Sequence, residues 1–294
     1  ATYLGHTGKV TSLTQSSDSQ WLFSGSEDTL VKKWSLATGE CVTTFEGHTA
    51  GVTHLFMNTI DDTLFSSSKD DTVRKWNIST GICMVLEAPT PVNLVLAGKD
   101  GRYAFGSTRK TIECWDLTTG HRTSCLEDNI VLRVSQKMQF TPDERLLVYG
   151  NKKGKFFKWN INKKCIETEF DGHSGSQSSM HFTITPDSKS LISTNSDKIL
   201  QRWNLHTGEK QLLSTGTKIK YLIATPDNQY VLAFTDGDCK SIQKWNLATN
   251  LCDLTMNCQL YDPDAAMISS DGDWLIAHSL VELGRWNIRT GQEE

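Results

Sequence analysis

Short stretches in which apolar and polar residues alternate recur along the chain, and turn-forming residues separate them. In the first 45 residues, the pattern predicts a strand over Val10–Gln15, a second over Trp21–Ser26 and a third that carries Trp34. A Thr-Gly turn then leads to a fourth strand, Cys41–Phe45. Four short strands joined by tight turns predict one antiparallel sheet.

The same unit repeats through the chain, marked by a tryptophan every 39 to 44 residues. The tryptophans are Trp34, Trp76, Trp115, Trp159, Trp203, Trp245 and Trp286. Five of the turns that follow them carry glycine and a sixth carries Asn250, as expected for a position with positive φ, whereas the fourth carries Lys164. A regular period of this length indicates a repeat fold with seven units.

The sequence around each tryptophan, such as KKWSLATG and QRWNLHTG, resembles the WD-repeat family, whose unit is one four-stranded propeller blade. The resemblance covers the whole chain. It implies an all-β fold, a closed seven-bladed β-propeller of four-stranded antiparallel blades, formed by residues 1–294 as a single domain. The family's Trp-Asp dipeptide occurs only once, at Trp115-Asp116.

The two ends of the chain predict how the last blade is completed. The chain stops just after the third strand of the seventh unit, and residues 1–4 precede Gly5-His6 as residues 42–46 precede Gly47-His48. The N-terminal strand is therefore expected to be the outer strand of the last blade, which would close the ring and remove exposed faces between blades.

In the WD-repeat family, a buried hydrogen-bonded tetrad connects Trp through Ser and His to Asp. Three blades of this chain carry all four residue types at the family's spacing. The implied tetrads are His6, Ser24, Asp28 and Trp34; His48, Ser66, Asp70 and Trp76; and His173, Ser193, Asp197 and Trp203. The other four blades lack the His, and their Asp position holds Arg109, Lys153, Cys239 or Leu280. We interpret the tetrads as structural, because a catalytic triad would occur once and not in three repeats.

Charge on the loops suggests where a partner binds. By the resemblance, the loops between second and third strands, and between blades, open on one face. Over blades 2 to 4 these loops carry six basic residues, Lys69, Arg109, Lys110, Arg133, Lys152 and Lys153. Blades 6 and 7 carry acids there instead, among them Asp262 and Asp264. We call the six the basic arc and expect it to bind acidic or phosphorylated protein segments. The alternative is an ordinary solvated surface.

A basic residue also precedes the tryptophan in six repeats: Lys33, Lys75, Lys158, Arg202, Lys244 and Arg285. One interpretation is structural, with buried stems and charges that reach the rim or pair with acids. The other is a ring of cations that binds a polyanion. Repetition in nearly every blade favours the structural interpretation.

Nothing else in the sequence indicates catalysis. There is no nucleophile elbow, dinucleotide fingerprint, Walker loop or zinc-protease motif, and no Cys/His spacing typical of a metal site, so we predict no enzyme activity, no metal and no cofactor. A propeller enzyme or small-ligand binder remains the alternative. It would need central-channel residues to converge on a closed polar pocket, and the candidates are Thr53, His54, Lys137, His181 and Lys220.

Composition and charge limit which kinds of partner and which cellular compartments are expected. The chain has 294 residues and a net charge of −4, and this acidic balance disfavours general nucleic-acid binding. No apolar run is long enough to span a membrane. Cys41, Cys83 and Cys252 recur seven residues after a tryptophan, and we expect them to be reduced and half-buried. These features predict a monomeric propeller in the cytoplasm or nucleus whose partners are other proteins.

Overall fold

Strands and tight turns make up the part of the chain that the computed structural model describes. That part comprises residues 5–58, 60–108, 111–123, 138–151, 154–163, 165–173, 181–194, 198–236, 240–258, 265–269, 272–278 and 283–293. Within these ranges, no helix has the length and apolar character to span a membrane. The chain divides into two compact units, residues 1–136 and residues 137–294. The expectation of a single domain stays a prediction.

The first unit contains three four-stranded antiparallel sheets, and within each sheet every strand pairs with its neighbour in the chain. Blade 1 has β1 (Val10–Gln15), β2 (Trp21–Ser26), β3 (Val31–Ser35) and β4 (Cys41–Phe45). Blade 2 has β5 (Val52–Asn58), β6 (Thr63–Ser68), β7 (Thr72–Asn77) and β8 (Cys83–Glu87). Blade 3 has β9 (Leu94–Ala97), β10 (Tyr103–Ser107), β11 (Ile112–Asp116) and β12 (Arg122–Thr123).

The second unit contains four more antiparallel sheets. Blade 4 has β13 (Met138–Phe140), β14 (Leu146–Gly150), β15 (Phe156–Asn160) and β16 (Cys165–Phe170). Blade 5 has β17 (His181–Ile184), β18 (Ser190–Thr194), β19 (Ile199–Asn204) and β20 (Lys210–Ser214). Blade 6 has β21 (Ile219–Ala224), β22 (Tyr230–Thr235), β23 (Ser241–Asn246) and β24 (Cys252–Asn257). Blade 7 has β25 (Ala265–Ile268), β26 (Trp274–His278) and β27 (Leu283–Asn287).

These seven antiparallel sheets are the blades of an all-β, seven-bladed β-propeller, so the predicted fold class is confirmed. In blade 1, the predicted bounds of the first, second and fourth strands are confirmed, and the third strand carries Trp34 as expected. In blade 7, Glu293 forms a bridge with Trp286, the position that Cys83 occupies opposite Trp76 in blade 2. Residues 1–4 lie outside the described residues, so their role as the outer strand of blade 7 stays a prediction.

Turn chemistry explains why the strands end where they do. The predicted positive-φ position after the tryptophan is confirmed at Gly39, Gly81, Gly120, Gly208, Asn250 and Gly291, with φ between 59° and 77°. Lys164 lies outside the described residues. The turn between the first and second strand also contains a left-handed residue in every blade: Ser19, Asp62, Gly101, Glu144, Ser188, Asn228 and Gly272. Each follows an Asp, whose short side chain favours such turns.

The hydrophobic core is divided into clusters that lie between neighbouring blades. Trp76 of blade 2, for example, packs against Phe45 of blade 1 with ring centroids 5.5 Å apart, in a cluster that also holds Phe23 and Leu64. The outer strands face solvent. The expectation of half-buried cysteines is wrong for Cys41 and Cys252, which are exposed on the outer strands β4 and β24. Cys83, at the same position of β8, is partly buried and accepts a hydrogen bond from the Arg74 guanidinium.

Candidate functional site

A hydrogen-bonded chain of four side chains links the loop before blade 1 to the turn between β2 and β3. Trp34 Nε1 donates to Ser24 Oγ at 2.7 Å, and Ser24 lies 2.7 Å from His6 Nε2. His6 Nδ1 lies 2.8 Å from Asp28 Oδ2, which also accepts the backbone N–H of Thr7. Each of the four side chains in this tetrad has its hydrogen-bond partners, as a buried polar network requires.

Blade 2 repeats the arrangement almost to the tenth of an ångström. Trp76 Nε1 donates to Ser66 Oγ at 2.8 Å, Ser66 lies 2.7 Å from His48, and His48 Nδ1 lies 2.8 Å from Asp70. The N–H of Thr49 donates to the same carboxylate at 2.9 Å. Identical geometry in adjacent blades supports the structural interpretation of these residues.

The two carboxylates remain ionised to low pH. Burial raises the pKa of Asp28, but hydrogen bonds from Thr7, His6 and Leu30 outweigh it and lower the pKa to about 2. Burial also raises the pKa of Asp70, and bonds from Thr72, Thr49 and His48 lower it below its ordinary value.

The imidazole of His48 responds in the opposite sense to the same surroundings. Burial lowers its pKa more than the Asp70 carboxylate raises it. His48 is therefore held neutral, in the form that bonds to both Ser66 and Asp70.

In blade 5 the hydrogen-bonded tetrad is less complete than predicted. His173 Nε2 lies 3.0 Å from Ser193 Oγ, but Trp203 Nε1 is buried and has no hydrogen-bond partner in the structure. The expected Trp203–Ser193 bond is therefore not seen. Asp197, the fourth member, lies outside the described residues.

Two blades that lack a tetrad use a backbone acceptor for the tryptophan instead. Trp115 Nε1 donates to the carbonyl oxygen of Glu87, the last residue of the outer strand of blade 2, at 2.9 Å. Trp286 donates to the carbonyl oxygen of Asn257, the equivalent residue of blade 6, at 3.0 Å. These bonds join neighbouring blades, whereas a tetrad joins loops on one blade.

In the second unit, three of the four basic residues that precede the tryptophans reach the following blade. Lys158 Nζ donates to Leu205 O at 3.0 Å, and Lys244 Nζ donates to Ile288 O at 3.3 Å. Arg202 donates to Leu247 O in the same way. Each acceptor lies two residues after the tryptophan of the next blade. We call these bonds the forward ties.

Elsewhere the same basic position lies over an aromatic ring. Lys33 Nζ is 4.2 Å from the ring centroid of Trp21, and Lys75 Nζ is 6.0 Å from that of Phe65. The guanidinium of Arg285 is 3.7 Å from the ring centroid of Trp274. Rings and carbonyls occupy these cations, which favours the structural interpretation over a polyanion site.

Of the basic arc, the structure describes Lys69 alone. Its side chain is 58% exposed in the turn after β6, and its Nζ lies 3.4 Å from Glu27 Oε1 in the corresponding turn of blade 1. An exposed pair of this length contributes little to stability. Arg109, Lys110, Arg133, Lys152 and Lys153 lie outside the described residues.

The channel candidates of the first unit are engaged in packing. Thr53 Oγ1 donates to Val92 O at 2.6 Å, a bond that joins blades 2 and 3, and it lies 3.0 Å from Ser67 Oγ within blade 2. Burial lowers the pKa of His54 to about 4, although a hydrogen bond with the backbone of Val95 opposes the shift. Lys137 lies outside the described residues, and His181 and Lys220 belong to the second unit. Neither Thr53 nor His54 is placed as a reactive group.

An exposed apolar strip on blade 2 was not predicted from the sequence. Ile82, Met84 and Val85 are 71%, 38% and 44% exposed, although two of them belong to a regular strand. The signal was present in the run Cys83–Leu86, an outer strand with no charged residue until Glu87. A groove of about 600 Å³ runs beside Ile82 and Met84 and is also lined by Asp61, Asp62 and Lys75.

Comparison with known proteins finds WD repeats. Residues 1–35 and 39–77 match the family "WD domain, G-beta repeat". The chain is 25% identical over 262 residues to an uncharacterised WD repeat-containing protein of Schizosaccharomyces pombe, an alignment that covers 84% of this chain and 58% of that protein. It is 43% identical over 44 residues to the ribosome biogenesis protein BOP1 homolog of Arabidopsis thaliana, covering 15% of this chain and 6% of that protein. The chain thus spans less than two thirds of either relative.

Among solved structures, the crystal structure of the computationally designed Ika8 protein resembles this chain with a TM-score of 0.82. The match covers 98% of this chain and 86% of the designed protein at 21% sequence identity. At that identity, the similarity is one of fold.

Proposed function

We propose, from the premise that the chain is a WD-repeat β-propeller, that it is a non-catalytic scaffold that docks other proteins through its loops. WD propellers are generally protein-interaction scaffolds. The observation that carries the proposal is the pair of complete tetrads in blades 1 and 2, which fix the loop before each blade to a turn of the same blade. A loop that is already ordered loses little conformational entropy when a partner binds.

The finer part of the proposal is the docking position. We place it on the basic arc, Lys69, Arg109, Lys110, Arg133, Lys152 and Lys153, with an acidic or phosphorylated protein segment as the ligand. The support is the charge of these six residues on a chain of net charge −4 and the exposure of Lys69. The guanidinium groups of Arg109 and Arg133 suit a carboxylate or phosphate, which they can hold by two parallel hydrogen bonds.

The experiment compares the proteins recovered from cells by the wild-type chain with those recovered by charge-reversed variants. The arc variant is Arg109→Glu with Lys153→Glu, and the matched control is Asp262→Lys with Asp264→Lys. Quantitative mass spectrometry should show specific partners that both the wild type and the control recover and that the arc variant loses. The arc variant should keep the melting temperature of the wild type. Retention of every partner by a folded arc variant would remove the arc from the proposal, and recovery of no specific partner by the wild type would reject the scaffold.

A further inference from the structure

The apolar strip on blade 2 lies along a sheet edge. β8 pairs with β7 on one side, from Thr72 opposite Glu87 to Trp76 opposite Cys83, and no described strand pairs with its other side. Leu86 is fully buried in the cluster between blades 2 and 3 and holds the strand in place. The side chains of Met84 and Val85 remain at the surface on this fixed edge. The carbonyl oxygen of Glu87 is already bonded to Trp115 Nε1, so the part of the edge from Ile82 to Leu86 is the part that offers backbone N–H and C=O groups to another strand.

Several other outer strands carry charges that discourage such pairing, and the uncharged strand β4 carries a single large exposed apolar residue, Val42. In β16, the carboxylates of Glu167 and Glu169 pair with lysines of the same blade. β20 begins with Lys210, whose Nζ lies 4.9 Å from the ring centroid of Trp203, and Asp253 in β24 accepts a hydrogen bond from Asn246. Charged side chains on an edge are a common protection against strand addition. β8 has none from Cys83 to Leu86.

The charge around the strip indicates what kind of segment fits it. The groove beside Ile82 and Met84 contains two acids, Asp61 and Asp62, and one cation, Lys75. Both acids are exposed, and Asp62 accepts a hydrogen bond from the uncharged Ser17, so its charge is not cancelled. The end of the strip near the turn before β8 is therefore acidic, while its middle is apolar.

We propose that β8 is a docking edge for an extended segment of another protein, with alternating apolar residues and a lysine or arginine pair at the end that lies over Asp61 and Asp62. The segment adds to blade 2 as a fifth strand. Backbone hydrogen bonds supply affinity, and the apolar strip and the acids supply specificity. From Ile82 to Leu86 the edge is about 14 Å long, which suits a segment of about five residues. This site is separate from the basic arc and selects the opposite charge.

The test uses fluorescently labelled peptides with blocked ends and measures their binding by anisotropy. The main probe is Lys-Lys followed by three Val-Thr pairs. One comparison peptide replaces the two lysines by glutamates, and another carries N-methyl groups along one edge, which removes backbone donors. We expect saturable binding of the main probe, with each comparison peptide at least tenfold weaker.

Variants of the protein locate the site. Val85→Lys should reduce binding of the main probe at least tenfold, and Asp61→Asn with Asp62→Asn should reduce the preference for lysine over glutamate. The matched control is Leu212→Lys, which places the same charge at a 60% exposed apolar residue of the outer strand β20. It should leave binding unchanged, and all variants should keep the wild-type melting temperature because the replaced side chains are exposed.

Several results would overturn the proposal. They are no saturable binding of the main probe, binding that survives N-methylation, and equal effects of Val85→Lys and Leu212→Lys. Analytical ultracentrifugation tests whether a second copy of the chain occupies the edge instead of a peptide. A dimer that Val85→Lys dissociates, without peptide binding, would show that β8 pairs with a second copy of the chain instead. None of these outcomes depends on the basic arc, so the two proposals fail separately.

Discussion

Lys158 of blade 4 donates a hydrogen bond from Nζ to the carbonyl oxygen of Leu205 in blade 5, at 3.0 Å, although its side chain is almost entirely buried. The same ammonium lies 3.6 Å from Glu167 Oε2. Lys158→Met should therefore lower the free energy of unfolding by about 1–3 kcal/mol, since it leaves a buried carbonyl without its donor. Urea unfolding measures the change. Lys189→Met removes a well-exposed ammonium 3.9 Å from Asp187 and serves as the control, expected to change stability by under about 0.5 kcal/mol.

The tetrads predict that equivalent serines differ in their contribution to stability. Ser66 accepts from Trp76 and contacts His48, whereas Ser193 contacts His173 but not Trp203. Ser66→Ala should cost about 1–3 kcal/mol, because it strands two buried partners. Ser193→Ala should cost less. Thermal unfolding of the two variants checks the order, and a larger loss for Ser193→Ala would contradict the assigned bonds.

Acid should destabilise the protein through Asp28 at low pH. Its folded-state pKa of about 2 is below the ordinary value of 3.8, so the carboxylate stabilises the fold above pH 4, and this contribution disappears as the pH falls from 4 to 2. The contribution is about 2 kcal/mol. The stability advantage of the wild type over Asp28→Asn should therefore shrink across that range. Glu46→Gln, at an exposed residue, is the control, and a constant advantage down to pH 2 would refute the shift.

His54 predicts a separate effect at milder pH. Its folded-state pKa of about 4 lies below the ordinary value of 6.5, so the unfolded chain binds a proton between these values and the folded chain does not. Stability should fall as the pH drops from 6.5 to 4, by about 3 kcal/mol for this group. Denaturant titrations should show that His54→Leu flattens this part of the profile, while His206→Leu, at an exposed histidine, does not.

Two glycines should respond very differently to alanine. A Cβ on Gly172 would overlap the carbonyl oxygen of Gly154, whereas a Cβ on Gly81 would meet nothing within 4 Å. Gly172→Ala should cost about 3 kcal/mol, because the backbone of one of the two loops must move. Gly81→Ala should cost about 1 kcal/mol from its φ of 74° alone. Similar melting temperatures for the two variants would contradict this contact.

The repeat made much of the fold predictable, while contacts between blades were not. Local turn chemistry and a period of two fixed the bounds of the strands from Val10 to Phe45, and the family spacing located both complete tetrads. Spacing could not show that Trp203 Nε1 would miss Ser193, a matter of side-chain geometry. Nor could it identify Leu205 as the acceptor of Lys158, because a backbone carbonyl has no signature in the sequence.

Of the two proposed docking surfaces, one could be predicted from the sequence and the other could not. The charge of the basic arc was readable, but the apolar strip was not recognised. The apolar run Cys83–Leu86 is compatible with a strand, but only the structure shows that Met84 and Val85 are both exposed on an edge. An edge strand has solvent near both of its faces, so the rule that alternate residues are buried does not hold there.

The forward ties give the second unit a direction. In each of them, the charged donor belongs to one blade and the neutral acceptor to the blade that follows, as in Lys158 to Leu205, Arg202 to Leu247 and Lys244 to Ile288. Loss of a following blade takes the acceptor from a partly or fully buried ammonium or guanidinium, whereas loss of a preceding blade takes the donor from a neutral carbonyl. Removing a hydrogen-bond partner from a charged group costs more than removing one from a neutral group. Damage to one blade of the second unit should therefore propagate more readily toward the amino end than toward the carboxyl end, so that local unfolding is vectorial although the blades are repeats of one unit.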